Sequence, residues 1–247
     1  MTRPSIAMLR TETKLFIREP APLFWIIGFP TIVLVILGSI PGFREPSAEL
    51  GGLRIIDLYG SIVVLLATIF AAVQAMPTVL ATYREQEILR RISTTPARAS
   101  HLLLTQYALH TAAVIGSAIL ALTTARLAFD VAPPESFPAY LLIMALVLLA
   151  MMATGGVISS LAANARIAST VGTIVMFPLM FSAGLWLPVQ AMPDIVGRIV
   201  EFTPLGAAAR GLDQAALGHW PDPGYLVVLT LWALALGALA ARYFRWE

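Results

Sequence analysis

The sequence predicts an all-α polytopic membrane protein: six transmembrane helices, an N-terminal interfacial helix and a re-entrant external helical hairpin before the last span. Three observations predict it. Six stretches of 19 to 30 residues, at 21–40, 58–82, 102–125, 136–165, 167–193 and 223–241, hold no Asp, Glu, Lys or Arg. A helix crosses a bilayer with about 20 mostly apolar residues. Charged residues make up only 12% of the chain and mean hydropathy is +0.82, which excludes a soluble globular domain. The segments between the runs leave no room for a second unit, so 1–247 reads as a single transmembrane domain.

Residues 4–19 come first. Ile6, Leu9, Thr13, Phe16 and Ile17 fall at helical spacing on one face, and Arg10, Lys14 and Arg18 form an i, i+4, i+8 row on another. Such a helix lies in the membrane interface. Pro20 and Pro22 mark its turn into the first span. That span follows a long charged segment and has no clear small-residue cleavage site, so it reads as a retained helix and not a signal peptide. With the N-terminus in the cytoplasm, eleven basic residues lie inside (Arg3, Arg10, Lys14, Arg18, Arg84, Arg90, Arg91, Arg98, Arg166, Arg242 and Arg245). Five lie outside: Arg44, Arg54, Arg126, Arg198 and Arg210. The asymmetry follows the positive-inside bias and puts both termini in the cytoplasm.

Segment 187–222 is too charged for a span and too apolar for a solvated loop. It carries Asp194, Arg198, Glu201, Arg210 and Asp213 among Ile195, Val196, Ile199, Val200 and Phe202. Pro188, Pro193, Pro204 and Pro221 cut it into two short helical pieces. The expectation is a pair of helices dipping into the outer leaflet, with Ile199 on the buried face. Trp186, Pro188, Pro193, Arg198, Glu201 and Pro204 are the candidate residues of an external gate.

The loop at 83–101 sets Arg84, Glu85, Glu87, Arg90, Arg91 and Arg98 around Ile88, Leu89 and Ile92. Ile88, Arg91 and Ile92 follow i, i+3, i+4 spacing, and Glu87 sits four before Arg91. A short helix with both charge and apolar anchors is a docking surface for a partner, and it ends at Thr94-Thr95-Pro96.

The run Arg84-Glu85-x-x-x-Leu89-x-x-Ile92-x-x-Thr95-Pro96 resembles the cytoplasmic signature of the ABC type-2 permease family, R-E-x-G-T-L-x-x-L-x-x-T/S-P. It departs at Glu87, where Gly is usual, at Ile88 for Thr and at Ile92 for Leu. Ser182-Ala183-Gly184-Leu185-Trp186-Leu187-Pro188, Met192-Pro193 and Thr203-Pro204-Leu205 resemble the family's stretch before the last span. The order of elements agrees along nearly the whole chain. The resemblance implies the membrane subunit of an ATP-binding-cassette exporter of a drug, antibiotic, lipid-linked glycan or other amphiphile. Two such subunits pair, as a homodimer or heterodimer, and two separate ATPase subunits dock beneath them. It also implies that the interfacial helix and the signature helix together form the ATPase contact, with Arg84, Glu85, Glu87, Leu89, Arg91, Ile92 and Pro96 on the coupling surface.

Other features bound the chemistry. A phosphate-binding P-loop needs Lys followed by Ser or Thr, and the only lysine, Lys14, stands between Thr13 and Leu15. This chain is therefore expected to be no enzyme and to bind no cofactor, with ATP and Mg held by the partner. There is no Cys, which excludes disulfides and thiolate sites. A net charge of +2 argues against nucleic acid as a partner and leaves the lipid bilayer. Arg and Ala abundance points to a GC-rich bacterial genome, and with the six spans the expected location is a bacterial plasma membrane. His110, near Gln106 and Thr111 in the third span, reads as a neutral histidine bonded to a neighbouring helix. Met144, Met151, Met152, Met176 and Met180 read as core or lipid-facing, with an adaptable cavity as the other reading. Ala233, Gly237 and Ala241 form a small-xxx-small face for helix packing, and Gly155 and Gly156 allow close approach. The alternative function is an ion-coupled secondary carrier, but the spans lack the acidic or basic residues at mid-depth that such carriers use.

Overall fold

The computed structural model describes residues 3–47, 50, 52–88 and 99–243. Helix α1 covers Arg3–Arg18 and α2 follows at Pro20–Gly38. The long α3 runs Ile55–Glu85, α4 Ala99–Phe129, α5 Phe137–Leu161 and α6 Ala165–Ser182. Two short helices, α7 at Asp194–Glu201 and α8 at Pro204–Ala216, precede α9 at Pro223–Tyr243. Six of these, α2 to α6 and α9, are long and apolar enough to cross a membrane, and the described residues contain no strand. One end of the bundle carries α1; the other carries the α7–α8 hairpin.

The helix boundaries differ from the charge-free runs in two informative ways. Arg166 separates two runs in the sequence, yet it lies inside α6. The break falls at 162–164, where Asn164 caps α6 by accepting from the Ile167 N–H at 2.8 Å. The run to 193 is also cut short, because Gly184 turns the chain at φ 85° after α6 ends.

At the centre stands α3, with 89% of its most apolar stretch buried. Its α-helical path is interrupted by a π turn at Phe70–Ala75, just before Pro77. Proline has no N–H to return to the carbonyl four residues back, and its ring displaces that carbonyl. A wider turn relieves both problems. Helix α2 repeats the device, with a π turn at Phe24–Gly28 before Pro30. The two π turns are joined by aromatic rings: Trp25 stacks on Phe70 at 5.3 Å and Phe29 meets Phe70 edge-on at 5.6 Å.

The carbonyls of the π turn in α3 face glycines. A Cβ on Gly155 of α5 would lie 1.9 Å from the Ala72 oxygen, and one on Gly172 of α6 would lie 2.5 Å from the Val73 oxygen. Only glycine admits so close an approach, so α5 and α6 press against the centre here. At the hairpin end, the Glu135 and Ser136 N–H groups donate to the Ala216 and Ala215 carbonyls at 3.3 and 3.0 Å, which seats α8 against α5.

Candidate functional site

The end of α3 at the α1 side carries three consecutive polar residues that bind three different neighbours. The Tyr83 hydroxyl donates to Glu12 Oε2 of α1 at 2.7 Å. Arg84 donates through Nη1 to the Ser159 carbonyl at 3.1 Å and the Ala162 carbonyl at 3.0 Å, at the end of α5. Glu85 Oε1 accepts from the Ala165 N–H at 3.2 Å, at the start of α6. Successive residues on a helix project about 100° apart, so three in a row can reach neighbours on different sides. The charges also match the helix ends: a cation at the carbonyl end of α5 and an anion at the N–H end of α6.

Glu12 extends this knot. Its Oε2 also accepts from Gln106 Nε2 of α4 at 2.7 Å, and the residue is only 9% exposed. Burial pushes its carboxyl above the usual carboxylate range; the bonds from Tyr83 and Gln106 oppose the rise and the Glu19 charge adds to it. One turn further along α4, His110 Nδ1 lies 2.9 Å from the Gln106 carbonyl. A carbonyl only accepts, so Nδ1 carries the proton. The expected bond from His110 to a neighbouring helix is corrected: this bond lies within its own helix, and the ring meets Phe16 of α1 edge-on at 5.2 Å.

Sequence reasoning missed Glu12, and its reading of α1 is adjusted. The inward face centres on Glu12, Thr13 and Phe16, while Ile17 is 63% exposed. Leu9 and Phe16 flank Glu12 at i−3 and i+4, so the available signal was a carboxylate on the apolar face of an amphipathic helix.

Of the predicted coupling residues, Arg84 is half-buried and Glu85 exposed, both bonded as above, and Glu87 is exposed in the turn that leaves α3. Leu89, Arg91, Ile92 and Pro96 lie outside the described residues. The backbone of Glu87 has φ 55°. This is the left-handed region that glycine enters at no steric cost, and it is the position where the family signature carries Gly.

The gate candidates do not form one cluster. Trp186 is exposed and stacks on Phe177 of α6 at 6.2 Å. Pro188 and Pro204 are buried, Pro193 and Arg198 are exposed, and Pro193 and Pro204 stand at the starts of α7 and α8. Glu201 and Arg210 pair across the hairpin at 2.8 Å. Gln190 donates to the Asp213 carboxylate; burial pushes that carboxyl up to about 8, with Arg210 opposing. Ile199, expected to face inward, is 64% exposed, and Val200 takes the inward place. The sequence placed the apolar residues of α7 correctly but not the side on which they stand.

A lateral groove of about 1320 Å³ opens between α4, α5 and α9. Tyr107 and Ile119, Met144 and Gly156, and Gly237 and Ala241 line it. This corrects the packing expected for α9: a Cβ on Gly237 would meet nothing within 4 Å. Gly156 does serve close approach, with Ala240 at 3.2 Å from its would-be Cβ. Met144 and Met152 reach the groove, while Met151 is fully buried. Among the described residues no group of three His, Cys, Asp or Glu is arranged to hold a metal ion.

None of the curated proteins compared with this chain gives a significant match. The profile of the ABC-2 type transporter family matches residues 5–217, which takes in α1, the knot and the hairpin. The chain is a multi-pass membrane protein that belongs to the ABC-2 type transporter family, as a transmembrane permease component.

Proposed function

We propose that this permease is the membrane subunit of an ATP-driven exporter for an amphiphilic or lipid-like compound. A separate ATPase subunit binds ATP and Mg, and a second permease subunit completes the path. The α1 end faces the cytoplasm, as the excess of basic residues on that side favours. The ATPase docks on the 83–101 segment. The observation that carries this reading is the knot: the residues that enter the segment, Tyr83, Arg84 and Glu85, are each bonded to a different element. A push on the segment is therefore delivered to α1, α5 and α6 together.

The hairpin end forms the exit. Ile195, Ile199 and Phe202 stand on the open side of α7, which suits contact with acyl chains, and the Glu201–Arg210 pair keeps two charges neutralised at that depth. The path is apolar, and the cargo enters from the cytoplasm or the inner leaflet.

Arg91→Glu and Leu89→Asp test the docking while leaving the knot intact. Both variants are expected to insert normally and to lose the ATPase subunit on co-purification: Arg91→Glu breaks an interface charge pair, at about 2–5 kcal/mol, and Leu89→Asp buries an unpaired charge in an apolar contact. Full retention of the ATPase and of transport by both variants overturns the docking site.

A further inference from the structure

We propose that the Asp213 carboxyl is a proton-operated catch for the α7–α8 hairpin. Neutral, it holds the hairpin down on α3 and α5; ionised, it lets the hairpin lift. The pH on that side of the membrane then sets how often the exit opens. That the hairpin is the exit rests on the reading above; the catch itself does not.

The seat leaves little room for a hydrated charge. Leu205, Ala207, Ala208, Ala209, Leu212 and Ala215 of α8 are all buried. A Cβ on Gly211 would lie 2.7 Å from Ile143 of α5, and one on Gly206 would lie 2.0 Å from the Val200 oxygen of α7. Asp213 stands among these residues, half-buried, and Gln190 donates to it from the turn before α7. The buried Tyr140 hydroxyl of α5 lies beside Ser61 of α3 and within range of the Asp213 charge. The lift also has a pivot. The Glu135 and Ser136 N–H groups hold the Ala216 and Ala215 carbonyls at one end of α8. The tie at the end of α7, from Trp232 Nε1 to the Phe202 carbonyl at 2.9 Å, does not titrate.

One cation serves two acids here. Arg210 lies one turn before Asp213 and is already paired with Glu201 of α7 at 2.8 Å. An ionised Asp213 therefore has only a share in one positive charge, and burial outweighs it. The other groups around the hairpin supply no counter-charge. Asp57 of α3 is held by Arg54 at 2.6 Å, Tyr225 of α9 lies by Glu201 and Arg210, and α6 carries only Arg166, at its far end. Glu135 stands against Gly218, and His219 and Asp222 follow the end of α8. Lifting hydrates the carboxyl and returns it from about 8 to its ordinary 3.8, so the seated hairpin binds the proton more tightly. The advantage of the seated form is full below 3.8, falls about tenfold per pH unit up to about 8, and changes no further above that.

The chain has no cysteine, so spin labels can be placed in pairs. Asp194 on α7 and Leu127 near the end of α4 are both exposed. In the complex with its ATPase subunit, the distance between labels at these positions reads the lift. The ratio of lifted to seated hairpin should rise about tenfold per pH unit from about pH 5 to 7 and level off near 8. Asp213→Asn, neutral at every pH, should stay seated throughout, and His219→Gln should keep the full response. Arg210→Gln removes the opposing charge and should move the levelling point to higher pH; it decides the matter alone where Asp213→Asn does not assemble. A hairpin indifferent to pH overturns the catch. So does a response that survives in Asp213→Asn, vanishes in His219→Gln or, where Arg210→Gln decides, keeps its levelling point there. At fixed pH, trapping the ATPase with Mg·ATP and vanadate should also move the hairpin. A hairpin that answers to pH and not to trapping overturns the exit reading and leaves the catch standing; one that answers to trapping alone does the reverse.

Discussion

The second and sixth spans look alike in sequence and occupy opposite places in the fold. Both are rich in Ala, Leu and Val, with hydropathies of 2.2 for α3 and 2.0 for α9. Yet 89% of the apolar stretch of α3 is buried, against 11% for α9. Hydropathy reports that a helix can enter a membrane, because lipid and protein interior are equally apolar. What places α3 at the centre is short-range geometry: freed carbonyls against glycines, and polar side chains that reach the ends of other helices.

The sharpest test is a matched pair of glycines. Gly155→Ala forces a Cβ to within 1.9 Å of the Ala72 oxygen, so helices must separate. A loss of about 3 kcal/mol is expected, at the upper end for overpacking. Gly237→Ala on α9 meets nothing within 4 Å and should be neutral, or stabilising by up to about 1 kcal/mol through helix propensity. Thermal unfolding of the two variants in the same detergent measures the difference; equal shifts would dissolve the contrast between the spans.

A second pair concerns the arginines at the last turns of the two helices. Arg84 bonds two carbonyls of α5, and Arg84→Ala should cost about 2 kcal/mol. Arg242, exposed in the last turn of α9, should tolerate Ala to within about 0.5 kcal/mol. The same melting measurement applies, and limited proteolysis near residues 161–165 should quicken only for Arg84→Ala.

The smallest effect lies at the turn that leaves α3. Glu87 holds φ 55°, so Glu87→Gly should match or slightly exceed the unmodified protein, while a β-branched Glu87→Ile should fall below Glu87→Gly by about 1 kcal/mol. Indistinguishable melting of the two would mean that the left-handed turn is not under strain.

These contrasts also show what could be read beforehand. The six spans were legible because charge is so costly in hydrocarbon that its absence marks them. The prolines marked the hairpin because Pro193 and Pro204 each stand where a short helix begins. The start of α6 was not legible: it depends on the Asn164 cap and not on the charge of Arg166. Arg84 and Glu85 were picked out by resemblance, but their partners, the Ser159 and Ala165 backbone groups, are invisible in a side-chain pattern. Glu12 was hidden because a lone acid on a basic amphipathic helix passes for part of its solvated face. The substitution at Glu87 was plain, but the backbone angle that explains the usual glycine was not.

The π turn of α3 has a consequence for chain length. It holds one residue more than the α turn it replaces, so residues 76–85 stand about 100° out of phase with a face traced from 55–69. Loss of one residue within 70–75 would keep the phase of Tyr83, Arg84 and Glu85, but it would return the Val73 carbonyl to the Pro77 ring. The same deletion in 55–69 finds no spare residue and rotates all three by about 100°. The extra residue thus does two things at once: it admits a proline to the central helix, and it sets the phase in which the last turn of that helix meets its neighbours.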